Sequence, residues 1–145
     1  MNYSLNVLKE IEIKANSFEI WNTITSNKKL SDCLKISVNC DLWEKGQTIY
    51  FNGFKNDLKF SDKAKITEFL QNKLLTYNYF KSGSDDFTEL SFSIKRNGKN
   101  SSKLILRGKG FLDTDDKIHA EKTWAGMLQI LKTEIEKTHH NNGYK

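Results

Sequence analysis

The apolar residues between positions 115 and 137 repeat with the period of an α-helix. At 100° per residue they form one stripe about 100° wide, while lysine and glutamate occupy most of the remaining surface. The stripe contains Ala120, Trp124, Met127, Leu128, Leu131 and Ile135. Thr114, Asp115 and Asp116 offer capping oxygens and negative charge at the start. The pattern predicts a helix of about six turns, Asp115 to Lys137, that buries one face.

The first third of the chain changes its period twice. Residues 5–15 alternate apolar and charged positions, which predicts a strand. Asn16 followed by Glu19 forms a capping box for a short helix over about 17–25. The apolar side of that helix contains Phe18, Ile20, Trp21 and Ile24. A second short helix is predicted over about 26–34.

Residues 36–112 contain short alternating stretches that predict an antiparallel meander. The stretches are 36–42, 47–51, 58–70, 73–80, 88–96 and 102–112. Asn52-Gly53 and Asn97-Gly98 are predicted to turn the chain. A sheet with one apolar face needs a cover, and the last helix has a matching stripe. We therefore predict one α+β domain over 1–145, a curved antiparallel sheet of about six or seven strands around a long C-terminal helix, with a polar tail over 139–145.

The order of these elements, together with several segments, resembles the START-like or birch-pollen-allergen (SRPBCC) superfamily, whose fold is called helix-grip. The matching segments are 11–30, WEKG at 43–46, 66–80, 88–106 and 123–136. The chain is most similar to the branch related to the C-terminal domain of activators of the heat-shock-protein-ninety ATPase. It departs from the common pattern at Ser17, where a proline often opens the helix, and in the lysine-rich stretch 52–65.

The resemblance implies a cavity between sheet and helix that holds an apolar small molecule in many relatives. Functions in the superfamily range from lipid carriage to cyclisation, hydrolysis and co-chaperone activity. The fold alone therefore does not decide the function.

Charge and composition remove several classes of function. The formal net charge is +5, but only Arg96 and Arg107 among 23 basic residues are arginine, and the lysines are interleaved with 18 acids. Arginine is the side chain suited to bidentate phosphate and guanine contacts, so we expect no nucleic-acid partner. The N-terminal residues lack the plan of a signal peptide, and 18 apolar residues never run together. We expect a cytoplasmic protein without membrane insertion.

Aromatic and apolar side chains on the predicted inner faces indicate a ligand cavity, because small-molecule sites are mostly apolar with few polar groups. The candidate lining residues are Trp43, Phe51, Phe60, Tyr77, Tyr79, Phe92, Trp124, Met127 and Leu128. The alternative is that these side chains simply fill the core. Tyr77 and Tyr79 are the most informative, since a buried phenol hydroxyl needs a hydrogen-bond partner.

Candidates for catalysis are few. Alternation with Ala64, Ile66 and Leu70 turns Glu68 inward, although a strand register one residue different would expose it. His119 lies off the buried stripe and is expected at the surface.

The remaining histidines and the cysteines do not form a metal-site pattern. His139 and His140 lie in the polar tail, and Cys33 and Cys40 lack the spacing of a zinc site, so we expect free thiols. No catalytic residue, metal or cofactor is predicted.

The leading hypothesis is a non-enzymatic protein that binds a hydrophobic or amphipathic small molecule, such as a lipid, between sheet and C-terminal helix. One alternative is a co-chaperone-like domain that binds a chaperone or another protein through its outer surface. A second is a small cyclase-like or hydrolase-like enzyme. An inner cavity above roughly 300 Å³ favours the binding hypothesis, and a filled interior favours the interaction hypothesis.

Overall fold

The computed structural model describes residues 5–143, with the side chains of residues 5–137. The strands are β1 (Asn6–Ile13), β2 (Ser37–Asn39), β3 (Thr48–Lys55), β4 (Leu58–Leu70), β5 (Leu74–Phe80), β6 (Phe87–Arg96) and β7 (Ser102–Lys109). The helices are α1 (Ser17–Ile24), α2 (Asn27–Leu34) and α3 (Thr114–Gly143). The strands form one antiparallel sheet in the order β1-β7-β6-β5-β4-β3-β2. The predicted α+β architecture is confirmed.

Both short helices begin with a side-chain cap: the sequence predicts the cap of α1 at Asn16, and the cap of α2 at Ser26 is a finding of the structure. The Glu19 N–H donates to Asn16 Oδ1 at 2.9 Å, and the Lys29 N–H donates to Ser26 Oγ at 3.2 Å. The placement of Phe18 on the buried side of α1 is wrong, because this side chain is 55% exposed. Phe18 points about 140° away from the mean direction of the buried residues of α1, which are Ile20, Trp21, Thr23 and Ile24.

The long helix begins one residue earlier than predicted and extends further. Asp113 is its cap: the Asp116 N–H donates to Asp113 Oδ1 at 2.8 Å, and the Lys117 N–H donates to the Asp113 carbonyl at 3.1 Å. The backbone remains helical to Gly143, past the predicted end at Lys137. The predicted stripe is buried at Ala120, Leu128, Leu131 and Ile135 and partly buried at Trp124 and Met127. The side chains of His139 and His140 lie outside the described part of the chain.

The hairpin between β3 and β4 turns at Asn56 and Asp57, whose φ angles are 52° and 66°. The predicted turn at Asn52-Gly53 is therefore wrong, since β3 continues through it. Gly53 is needed for packing instead: a Cβ there would lie 2.9 Å from Ile36 Cγ2 and 3.0 Å from Phe60 Cε1. Tertiary packing overrides the local turn preference of the Asn-Gly pair.

A bulge between Ile66 and Glu68 shifts the register of β4 against β5 and leaves Thr67 as the extra residue. Beyond the bulge the two faces of the strand exchange. Phe69 turns towards the core, while Glu68 and Leu70 are exposed. The inward orientation considered for Glu68 is therefore wrong, and this carboxylate is not part of the interior.

The main core lies between the concave face of the sheet and the three helices. Two bonds fix α3 to the end of β1: Lys132 Nζ donates to the Glu12 carbonyl at 2.6 Å, and the Lys14 N–H donates to Glu136 Oε2 at 2.8 Å. Cα atoms of α3 approach those of β1, α1 and α2 closely, but among the described residues they make no comparable approach to β3, β4 or β5. No helix within residues 5–143 has the length and apolar composition of a membrane span.

Candidate functional site

A small apolar cavity lies between the concave face of β3, β5 and β6 and the helices. Its volume is about 30 Å³, room for about two water molecules. Five predicted site residues line it: Trp43, Phe51, Tyr77, Phe92 and Met127. The lining residues that the sequence did not single out are Ile24, Leu30, Leu34, Ile49, Leu75 and Leu131. The interior is thus nearly filled, an order of magnitude below the usual size of small-molecule pockets.

Four predicted site residues lie elsewhere in the fold. Leu128 is 2% exposed and packs in the main core. Phe60 is half-buried over Gly53, and the Tyr79 ring lies 5.3 Å from that of Phe51, measured between centroids. Trp124 packs at the other end of the sheet. Whether any of the nine residues contacts a ligand stays a prediction.

The Trp124 ring lies against the backbone of Gly108 on β7. A Cβ at Gly108 would come within 2.2 Å of Trp124 Cη2. The Phe111 ring lies 5.7 Å from the Trp124 ring, and both belong to a second core cluster with Val7 and Ala120. Trp124 also packs against the main core. It therefore fills the space between α3 and β7, whereas Met127, three residues further along α3, lines the cavity.

Asn27, the first residue of α2, holds the Trp43 indole in place. Trp43 Nε1–H donates to Asn27 Oδ1 at 2.9 Å, and the Cys40 N–H donates to the same oxygen at 3.0 Å. The Asn27 Nδ2 group donates in turn to the Cys40 carbonyl at 3.0 Å. Sequence analysis missed this role, because an asparagine at a helix start indicates only a cap.

Tyr77 is the polar residue of the cavity wall. It is 8% exposed, and its ring lies 6.1 Å from the Phe92 ring and 6.4 Å from the Phe51 ring. Burial raises the pKa of the phenol above its ordinary value. Among residues 5–137 no group forms a hydrogen bond with its hydroxyl. The hydroxyl can therefore donate to or accept from a molecule in the cavity.

Tyr79 and Asp62 form a hydrogen-bonded pair further along the concave face. The Tyr79 hydroxyl donates to Asp62 Oδ2, and the Ser82 N–H donates to Asp62 Oδ1 at 2.8 Å. Burial, the bond to Asp62 and the Asp62 charge raise the pKa of Tyr79. Sequence analysis did not select Asp62, although its position two residues before the buried Ala64 places it on the inner face.

The other titratable candidates lie away from the cavity. His119 is exposed, as predicted, and its Nε2 lies 3.3 Å from Lys55 Nζ. Cys33 and Cys40 are free and buried, and burial raises the pKa of both thiols. Within the described residues, His, Cys, Asp and Glu side chains nowhere gather in the threes that a metal site would need.

A larger groove of about 300 Å³ lies on the outer face of the sheet, next to the loop between β5 and β6. Its lining includes Thr48, Tyr50, Lys63, Lys65, Phe80 and Asp85. This groove reaches the size expected for a ligand site but lies on the face opposite the predicted one. It is open and half polar, whereas ligand pockets usually enclose most of the ligand surface. We therefore place the candidate site on the concave face.

No protein-family model and no curated sequence matches this chain. Several solved structures, however, match its fold. The ChR145 protein of Cytophaga hutchinsonii superposes with a TM-score of 0.78 at 20% identity, over 95% of this chain and 98% of that one. The Aha1 dimer of Colwellia psychrerythraea superposes with a TM-score of 0.72 at 21% identity, over 90% of this chain and 96% of that one. CalU16 of Micromonospora echinospora superposes with a TM-score of 0.73 at 17% identity, over 90% of this chain and 73% of that one.

The chain has the helix-grip fold. This agrees with the START-like resemblance of the sequence and with the curved seven-stranded sheet around α3. At these identities the likeness extends to the fold and not to one branch of the superfamily. The function of this helix-grip protein must therefore be argued from its own residues.

Proposed function

We propose that this protein binds a small hydrophobic or amphipathic molecule between the sheet and α3, without catalysis. The observation that carries the proposal is the unpartnered hydroxyl of Tyr77 on the wall of an apolar cavity. A ligand that fills the cavity and bonds to this hydroxyl gains about 0.5–1.5 kcal/mol from the hydrogen bond, and apolar walls favour the rest of such a ligand.

At about 30 Å³ the cavity is far below the roughly 300 Å³ that favours binding, and a nearly filled interior favours the interaction hypothesis. The binding proposal therefore requires that the cavity widen to admit a ligand. The cavity wall contains three partly exposed side chains, Leu34, Trp43 and Met127. Methionine is unbranched and adapts its rotamers readily, so Met127 is the part of the wall that can yield at least cost.

The Trp43 indole N–H provides a direct assay. In protein labelled with ¹⁵N-tryptophan, this signal is identified from the spectrum of Trp43→Phe and followed during titration with alkanols, alkylamines, fatty acids and sterols. We expect a saturable shift with at least one class. Tyr77→Phe should weaken binding about threefold to tenfold, the worth of one hydrogen bond.

The matched control is Tyr50→Phe, which changes a tyrosine that is 48% exposed on the outer face and should leave affinity unchanged. If every class fails to give a saturable shift while the protein remains folded, the binding proposal is wrong.

A second candidate is a protein-interaction domain of the co-chaperone kind, and two observations favour it. The interior is nearly filled, and the hairpin between β3 and β4 exposes Phe54 at 72% and Leu58 at 74%. If this candidate holds, the protein should raise the ATPase rate of a purified heat-shock-protein-ninety. Replacing Phe54 and Leu58 together by serine should remove the stimulation and leave the Trp43 signal unchanged. The enzyme alternative has less support, because the described cavity wall contains no carboxylate or imidazole.

A further inference from the structure

We propose that the site prefers ligands whose polar end donates hydrogen bonds, an amine above all and then a hydroxyl, over carboxylates, and that Asp62 and Tyr79 set this preference. The inference rests on the proposed function, since it concerns the polar end of the same ligand.

Asp62 and Tyr79 lie where the concave face continues beyond the cavity. Asp62 is the direct partner of Phe51 across β3 and β4, and Tyr79 follows Tyr77 on the same face of β5. Phe51 and Tyr77 both line the cavity. Asp62 and Tyr79 are themselves only half-buried. An elongated ligand with its apolar part against Phe51 therefore brings its polar end to this pair.

The remaining hydrogen-bonding capacity of the pair is that of acceptors. The Tyr79 hydroxyl uses its proton on Asp62 Oδ2, which leaves lone pairs on the phenol oxygen. Asp62 accepts from the Tyr79 hydroxyl at Oδ2, and at Oδ1 from the Ser82 N–H at 2.8 Å and the Ser82 hydroxyl at 3.1 Å. A carboxylate has about four acceptor positions, so one on Oδ2 remains for a ligand. A ligand amine or hydroxyl can donate to these oxygen atoms. A ligand carboxylate has no proton to donate, so its oxygen atoms would be repelled by those of Asp62 and Tyr79.

Charge acts in the same direction. Within residues 5–137 no lysine, arginine or histidine nitrogen lies in salt-bridge contact with Asp62. The cations nearest in sequence are Lys59, Lys63 and Lys65, which alternate with Asp62 along β4 and so point to the outer face, where Lys63 and Lys65 line the groove. Lys81 pairs with Asp116 at 2.9 Å, and Lys55 lies beside His119. The uncompensated carboxylate attracts an ammonium group and repels an anion, and partial burial reduces the screening by salt.

The test uses three probes that share an eight-carbon chain, namely octylamine, octanol and octanoate, at neutral pH. Affinity is read from the Trp43 indole signal. We expect octylamine to bind most tightly and at least tenfold more tightly than octanoate. Asp62→Asn should weaken octylamine binding at least tenfold. It should change the affinity for octanol by no more than about threefold, the lower end of what one neutral hydrogen bond contributes. Asp85→Asn, in the outer groove, is the matched control and should change none of the three affinities.

A second measurement needs no variant: raising the salt concentration should weaken octylamine binding and leave octanol binding unchanged. Equal affinities for the three probes, or tightest binding of octanoate, overturn this inference and leave the binding proposal standing. Shifts that map to Thr48 and Lys65 instead overturn both, since the ligand would then occupy the outer groove. Failure of all three probes to bind the folded protein also overturns both.

Discussion

One methyl group at Gly108 tests how α3 lies on the sheet. A Cβ at this position would lie 2.2 Å from Trp124 Cη2, 2.7 Å from Trp124 Cζ3 and 3.2 Å from Phe111 Cζ. Real Cβ atoms do not approach other heavy atoms within 3.0 Å. In Gly108→Ala the Trp124 ring must therefore move by most of an ångström or α3 must lift from β7.

The expected loss follows from two opposing terms. Overpacking a well-filled region costs about 1–3 kcal/mol. Replacing glycine by alanine lowers the conformational entropy of the unfolded chain, which stabilises the folded state by about 0.4–1 kcal/mol. The free energy of unfolding should therefore fall by about 1.3 kcal/mol in Gly108→Ala, the difference between the midpoints of these two ranges.

Urea denaturation followed by circular dichroism measures this change. Gly126→Ala is the matched control, because a Cβ there meets nothing within 4 Å and alanine favours a helix interior by about 1 kcal/mol, so stability should rise. Adding Trp124→Leu to Gly108→Ala should remove most of the overpacking cost. Wild-type stability in Gly108→Ala, or strict additivity of the two changes, would refute the placement of Trp124 between α3 and β7.

Three further predictions concern the core and the site. Leu128→Ala should lower the free energy of unfolding by about 2–5 kcal/mol in urea denaturation, because this side chain is 2% exposed; a loss below about 0.5 kcal/mol would contradict its burial. Asn27→Ala removes the partner of the Trp43 indole and should shift the Trp43 N–H signal upfield with a loss of about 1–3 kcal/mol, whereas an unchanged signal would contradict the bond. Burial in the folded state raises the pKa of the Tyr77 phenol, so the free energy of unfolding should be constant below about pH 10 and fall above it. The fall with pH should be less steep in Tyr77→Phe, and identical slopes in the two proteins would contradict the burial of the hydroxyl.

The periodicity of the apolar residues predicted most of the fold of this chain. The alternation of Leu90, Phe92 and Ile94 and the helical stripe through Leu128 and Leu131 are buried as expected. These patterns are reliable because misplacing a whole apolar face in water is costly. The cap of α1 was equally readable, since it depends on residues three positions apart, whereas α3 is capped by Asp113 and not by the predicted Thr114, Asp115 or Asp116.

Features that depend on contacts distant in sequence could not be read in the same way. The Thr67 bulge reverses the faces of β4 without a local signal, and Gly53 is explained only by the side chains that pack over it. The helical stripe showed that Trp124 faces the sheet but not which strand it meets. The contact with Gly108 on β7 determines that, and of Trp43 and Trp124 only Trp43 lines the cavity.

The central claim is that a ligand enters between the sheet and α3 beside Tyr77. Intermolecular nuclear Overhauser effects between unlabelled octylamine and isotope-labelled protein test it most directly. We predict contacts from the alkyl chain to Phe92 and Met127 and from the carbon next to the amine to Tyr79. Contacts confined to Thr48 and Lys65 in the outer groove, or no contacts at saturating probe in the folded protein, would contradict the account.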